Sequence, residues 1–461
     1  MTQSPQAKPS KRQLHLGLFL FSTGYHPAGW RLPEAATDGA FDPKFLHLVA
    51  QRLEEAKFDF FFLGDALATS ADMQHTFPSQ MVRLEPFTMI ANIAAVTEKI
   101  GLIVTANTTY SEPYTVARQT ASLDYLSGGR LAWNVVTGMD VRAAQNYSRE
   151  KHWDNSKRYD YADEFVKIVQ ELWDSWENEA FVRNKETGEF VDGSKVHRIN
   201  HEGEHFSVAG PLNVARPPQG QIPLLNAGTS ERSRDLGAQQ SSAVFTGQIL
   251  LELAKTFYAE IKTKAVQYGR STDEVFILPG LVPLVGRTSE EARAKYRELN
   301  SLLVTNYDVT PLSARIGIDL SAYPLDGPLP DLSLSTLPGD EARWLVALAQ
   351  KAEGREDITV RELFHYFAAT SRGHLLIVGN PEEIADQMAE WFEGGAADGF
   401  NICPPYMPGG LDLFVDLVVP VLQRRGLFRT EYEADTFRGH FGLSVPENRF
   451  AKKAALQGAG E

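Results

Sequence analysis

The sequence predicts an α/β protein built as one (β/α)8 TIM barrel with long loop insertions. Three observations point there. Eight short β-rich apolar runs alternate with longer stretches of helical spacing, the pattern of repeated βα units on a parallel sheet. Several helical stretches open on proline, which a first helical turn accepts because its missing N–H would be unpaired there anyway. Nothing reads as an interdomain linker, so the surplus of the 461 residues over the roughly 250 that a barrel needs falls in loops.

In chain order the strands read as Leu14–Phe21, Phe58–Gly64, Ile100–Thr105, Arg130–Val136, Ile222–Ala227, Ala243–Gly247, Val275–Val285 and Gly399–Cys403. The helices read as Pro43–Ala56, Pro86–Thr97, Pro113–Leu126, Arg158–Trp173, Ser230–Ala238, Leu250–Tyr268, Glu290–Leu299 and Pro381–Phe392. Residues 1–12 read as a disordered tail, 13–445 as the single domain and 446–461 as a C-terminal tail. Two insertions remain, 178–221 and 307–372, and loops of that length in a compact domain act as lids or stay disordered.

Composition excludes several classes of function. With 43% hydrophobic and 23% charged residues the chain has ample apolar surface for a core. Lys and Arg number 45 against 59 Asp and Glu, a net charge of −14, so nucleic acid has no electrostatic purchase. The single Cys403 can form neither an intrachain disulfide nor a multi-cysteine metal site, which fits a reducing, cytoplasmic setting. Lys8, Lys11 and Arg12 before Leu14–Phe21 sketch a secretory signal, but His15 interrupts the apolar run and no small-x-small cleavage site follows. No stretch approaches the roughly 18 apolar residues of a membrane helix, so a membrane partner is not expected.

In such a barrel the site is built where the strands end, so the polar residues after each run carry the search. These are Ser22 to Pro27 after the first strand, Asp65 after the second, Thr105, Ala106 and Asn107 at the third and Asn134 on the fourth. The fifth ends in Asn226-Ala227-Gly228-Thr229-Ser230, a glycine turn into a helix start, where free backbone N–H groups and the helix dipole favour a phosphate. The P-loop and the G-x-G-x-x-G fingerprint are both absent. His201-Glu202-Gly203-Glu204-His205 matches the H-E-x-x-H zinc motif letter for letter, but its flanks read as extended chain and turn, and no metal is expected.

The chain resembles the flavin-dependent monooxygenases of the bacterial-luciferase superfamily, in the group of nitrilotriacetate, EDTA and dibenzothiophene-sulfone monooxygenases, pristinamycin IIA synthase and riboflavin lyase. The resemblance runs nearly end to end. It is carried by His26-Pro27-Ala28-Gly29-Trp30-Arg31, Phe60-Phe61-Phe62-Leu63-Gly64-Asp65, Thr108-Thr109-Tyr110-Ser111-Glu112-Pro113, Ser127-Gly128-Gly129-Arg130, Trp133-Asn134-Val135-Val136-Thr137, Arg158-Tyr159, Ala227-Gly228-Thr229-Ser230-Glu231 and Asp398-Gly399-Phe400-Asn401.

It implies an enzyme that binds reduced FMN and O2 and acts through a flavin peroxide on a small organic substrate. Aromatic or heterocyclic compounds, sulfones, amines or aminopolycarboxylates and flavins such as riboflavin all fall within that range. The strand ends, rich in Ser, Thr, Asn, Tyr, His and Trp with Arg31 and Arg142 as isolated cations, lean towards an aromatic or neutral heterocycle. Reduced flavin would come from a separate NAD(P)H:flavin reductase, and the family's habit is a homodimer or homotetramer.

The resemblance places Asp65, Thr105, Ala106 and Asn134 around the flavin ring, and Tyr159, Gly228, Thr229 and Ser230 on its phosphate. Asn134 and His26 are the catalytic candidates, although His26 reads equally as a loop histidine bonded to nearby backbone. Asn155 is a cofactor-binding candidate that stands where the family often has His, and it can hydrogen-bond but carries neither proton nor charge. The long 307–372 insertion is a candidate lid. An F420-dependent dehydrogenase on the same barrel and a non-catalytic flavin-binding protein are the alternatives.

Overall fold

The computed structural model describes residues 12–75, 78–304, 307–337, 339–371 and 373–452. Eight parallel strands close into a barrel: β1 His15–Phe19, β2 Phe60–Phe62, β3 Gly101–Asn107, β4 Leu131–Val136, β5 Leu224–Ala227, β6 Ala243–Thr246, β7 Phe276–Val285 and β8 Gly399–Ile402. Neighbours follow chain order, and β8 pairs with both β7 and β1 to complete the ring. Each predicted strand is present, and all eight predicted helices form within a few residues of their expected bounds.

A ninth strand, Leu375–Gly379, went unpredicted. It pairs with the outer half of β7, from Leu375 beside Leu281 to Gly379 beside Val285, so β7 runs on past the barrel. The helix Ser289–Ser301 then brings Leu302 to Val304 back to the rim, where they line a cavity together with Ser22 and Thr23.

The barrel's inside is aromatic at its N-terminal end. Phe60, Phe62, Ile103, Ala132, Leu225, Ala243 and Leu278 pack against Phe437 and Phe441, and Phe441 stacks on His15 at 4.3 Å. The C-terminal segment thus plugs the face opposite the strand ends. Each such fully buried Leu, Ile or Phe contributes about 2–3 kcal/mol relative to exposure.

Three expectations about the loops change. The 307–372 insertion is no open loop: Thr310–Ile316, Glu341–Glu353 and Val360–Ala369 are helices whose Leu312, Ile316, Leu345, Leu363 and Tyr366 form a second core with Tyr296 and Leu299. The 178–221 insertion leaves the far end of the helix Asn155–Trp173 and clasps its outer side, with Glu164 accepting the N–H groups of His205 and Phe206. The domain also runs past 445, since Pro446 accepts from Arg216 and Asn448, 5% exposed, donates to the carbonyls of Asp174 and Trp176. Residues 1–11 and 453–461 of the two tails lie outside the described residues.

Candidate active site

The register of β3 and β4 sets Thr105 beside Asn134 at the C-terminal rim. Thr105 Oγ1 donates to the Leu63 carbonyl at 2.6 Å and accepts from Asn134 Nδ2 at 3.0 Å. That chain of bonds fixes the amide, and it leaves Asn134 Oδ1 buried without a partner. A buried acceptor left bare costs free energy, so this oxygen is suited to an N–H brought by a ligand. Ala106 is buried beside the pair, and its carbonyl accepts from Trp133 Nε1 at 3.4 Å. Asp65 follows β2, half-buried, with one oxygen accepting the Ala66 N–H at 2.8 Å, and burial raises its carboxyl above the ordinary value.

The second group gathers after β5. Gly228 has φ +142°, and a Cβ there would sit 2.6 Å from Ser233 Oγ, so the turn needs glycine twice over. Ser230 caps the helix Glu231–Gln240, its Oγ accepting from Ser233 N–H at 3.3 Å, while Thr229 and Ser230 both remain exposed. The N–H groups of the helix's first turn lack intrahelical partners. Buried Tyr159 lies beside the side chain of Arg232 from that helix, whose guanidinium is 5.9 Å from its ring centre. Asn155 opens the helix Asn155–Trp173 and accepts from Arg158 Nη2 at 3.0 Å. Arg158 Nη1 donates to His152 Nε2 at 2.7 Å, so neutral His152 carries its proton on Nδ1 towards the Tyr110 hydroxyl, 2.7 Å away.

His26 stands apart from both groups. It is 2% exposed, and both ring nitrogens are engaged: Ala28 N–H donates to Nδ1 and Nε2 donates to Asn300 Oδ1, each at 3.1 Å. Burial pushes its pKa down to about 4, which holds the ring neutral. The bond ties the 22–31 loop to the helix Ser289–Ser301, and both flank a cavity of about 620 Å³. Trp30, Phe41, Met81, Val82 and Leu303 line it with Ser22, Thr23, Thr37 and Gln74, and its charged groups are Arg31 and Asp38. Arg31 donates to the Leu302 carbonyl, a second tie between the same two walls. Gln74, Phe41, Met81 and Val82 escaped the sequence reading because they lie mid-loop, where no strand end marks them.

The zinc-like motif has the expected form. His201–Glu202 and Ser207–Val208 make an antiparallel hairpin, and His201 Nε2 bonds Glu164 at 2.9 Å. Among the described residues no helix is long and apolar enough to cross a membrane.

The family model of luciferase-like monooxygenases matches residues 19–398. The chain is 49% identical to N-acetyl-S-(2-succino)cysteine monooxygenase of Bacillus subtilis (strain 168), over 96% of this chain and 99% of the relative. It is 43% identical to nitrilotriacetate monooxygenase component A of Aminobacter aminovorans, with the same coverage of 96% and 99%. A crystal structure of riboflavin lyase with modified FMN and riboflavin superposes with a TM-score of 0.78 at 32% identity, covering 95% of this chain and 97% of that one. An F420-dependent secondary alcohol dehydrogenase, at 13% identity and a TM-score of 0.55, shares the fold alone. The dehydrogenase and flavin-storage alternatives are therefore not favoured.

Proposed function

The chain belongs to the luciferase-like monooxygenase family, and on that premise we propose that it binds reduced FMN, supplied by a separate NAD(P)H:flavin reductase, and uses O2 to oxygenate a small organic substrate. The observation that carries the cofactor reading is the bare, buried Oδ1 of Asn134, held in place by Thr105 at the strand rim. An isoalloxazine ring brings the N–H that this acceptor lacks, and the exposed Gly228-Thr229-Ser230 turn supplies donors for a phosphate. When bound, the reduced flavin would supply the electrons that activate O2.

The protein's part is orientation and exclusion of water. Asn134 and Thr105 orient the ring edge; Ala106 leaves room beside it; Asp65, with its carboxyl raised by burial, stands at the end of the adjoining strand β2. Tyr159, Thr229 and Ser230 hold the phosphate end, and Asn155 acts there through Arg158. His26 holds the cavity loop and transfers no proton. The 307–372 insertion packs its helices into a core with Tyr296 and Leu299, and its described residues do not line the cavity.

For the substrate, the relatives' names are those of two carboxylated compounds, N-acetyl-S-(2-succino)cysteine and nitrilotriacetate. The cavity sets one cation, Arg31, and one acid, Asp38, in a mostly apolar wall, and Arg31 is the group there that could pair with a substrate carboxylate. Anaerobic titration with FMNH2 tests the cofactor reading. Asn134→Leu, close in size but without the acceptor, should weaken binding by roughly 10-fold, the worth of one lost hydrogen bond in a buried site. Unchanged affinity removes the assignment.

A further inference from the structure

The charged groups among the described lining of the cavity are Arg31 and Asp38, both from the loop that follows β1 and both exposed. Neighbouring charges pair off. Glu34 of the same loop meets Lys295 at 3.2 Å, and Arg142 holds Asp140 at 2.6 Å. Arg31 and Asp38 form no ion pair, either with each other or with another described residue, although they share one cavity.

Both groups stand on fixed chain. Arg31 spends an N–H donor on the Leu302 carbonyl, across the cavity's two walls, and its other donors make no described hydrogen bond. Around Asp38 the backbone is knitted into turns: Ala36 N–H donates to the Met407 carbonyl at 2.9 Å, Gly39 N–H to the Ala36 carbonyl at 3.1 Å and Phe41 N–H to the Asp38 carbonyl at 3.0 Å. The Asp38 carboxylate accepts from no described donor. Trp30, Phe41, Val82 and Leu303 make much of the remaining wall apolar.

A cation and an acid set apart in one apolar cavity act as a fixed dipole. A ligand gains from both when it carries the complementary pair, a carboxylate for Arg31 and a protonated amine for Asp38. An anion of several charges gains at Arg31 and is repelled at Asp38, so the same pair selects against polycarboxylates.

We propose that Arg31 and Asp38 determine specificity and that the substrate is a zwitterion, an amino-carboxylate with one carboxylate, one protonated amine and an apolar body. This rests on the reading that the cavity receives the molecule to be oxygenated.

Isothermal titration calorimetry of the full chain, with and without oxidised FMN, compares matched probes: S-benzyl-L-cysteine as the zwitterion, its N-acetyl derivative as the anion, S-benzylcysteamine as the cation and nitrilotriacetate as a polycarboxylate. Wild type should bind the zwitterion roughly 3- to 10-fold more tightly than the N-acetyl compound or the cation, between the worth of a screened surface pair and that of a charge-assisted hydrogen bond. Nitrilotriacetate should bind more weakly than the zwitterion. Asp38→Asn gives up no described side-chain contact and should bind the zwitterion and its N-acetyl derivative alike. Arg31→Gln should lose the preference over S-benzylcysteamine, and Arg31→Lys, which keeps the charge, should retain it.

Equal affinity of wild type for S-benzyl-L-cysteine and its N-acetyl derivative, an unchanged preference in Asp38→Asn, tighter binding of nitrilotriacetate or no binding of any probe each overturns the proposal. If the zwitterion binds with this pattern and the protein binds no flavin, the recognition stands and the flavin reading falls. If FMN binds and the pattern is absent, the recognition falls and the flavin reading stands.

Discussion

Replacing His26 with Gln separates a structural histidine from a catalytic one. Burial moves the ring from an ordinary 6.5 to about 4. At about 1.4 kcal/mol per pH unit, that difference is worth roughly 3 kcal/mol. The folded protein refuses a proton that the unfolded chain accepts below 6.5. Stability is therefore full above pH 6.5 and falls as the pH drops towards 4. His365, also pushed down to about 4 by burial, adds to the loss in both proteins, and its charge is a minor further cause of the low His26 value.

Gln at position 26 can still donate to Asn300 Oδ1, while the acceptor for Ala28 N–H is lost at a cost of about 1 kcal/mol. Urea denaturation followed by tryptophan fluorescence at pH 7.5 and 4.5 is the assay. The variant should be the less stable at pH 7.5 and gain on wild type by about 2–3 kcal/mol at pH 4.5. Identical pH dependence in the two proteins refutes the neutral, buried assignment. Turnover should survive in the variant; a loss of about 10²-fold or more, the usual worth of a general acid or base, would return His26 to the chemistry.

Other outcomes follow from the same geometry. Ser230→Ala removes a helix cap and should cost about 1 kcal/mol of stability, and with Thr229→Ala it should weaken FMN more than riboflavin; equal losses would move the phosphate elsewhere. Leu363→Ala, in the core of the 307–372 insertion, should cost about 2–5 kcal/mol by urea denaturation, whereas a lid opening to solvent would lose far less. Dialysis against a chelator should leave turnover intact, because His201 is held by Glu164 in a hairpin; loss restored by zinc would revive the metal motif.

The barrel was legible because its periodicities are local. Short apolar runs such as Phe58–Gly64 and proline-led helices such as Pro113–Leu126 announce themselves within a dozen residues. Leu375–Gly379 hid behind the insertion, since its partner is the outer half of β7, some ninety residues earlier, and nothing nearby signals that pairing. The insertion's core was equally silent, because Leu312, Leu345 and Leu363 meet only after the chain folds back.

At the site, the strand-end rule found Asp65, Thr105 and Asn134 and the Ser230 cap. It could not show that Asn134 keeps a bare oxygen, that His26 is locked by Asn300, or that Arg31 and Asp38 share a cavity without pairing. Each of those depends on a partner distant in sequence or on its absence.

The most direct test of the account supplies the purified protein with FMNH2 from a separate NADH:flavin reductase under 18O2, with a panel of carboxylated thioethers, aminopolycarboxylates and heterocyclic sulfones. Mass spectrometry should find one labelled oxygen atom in a product, formed only when both the reductase and FMN are present. Product that takes its oxygen from water, or turnover with NADH and no reductase, would contradict the account.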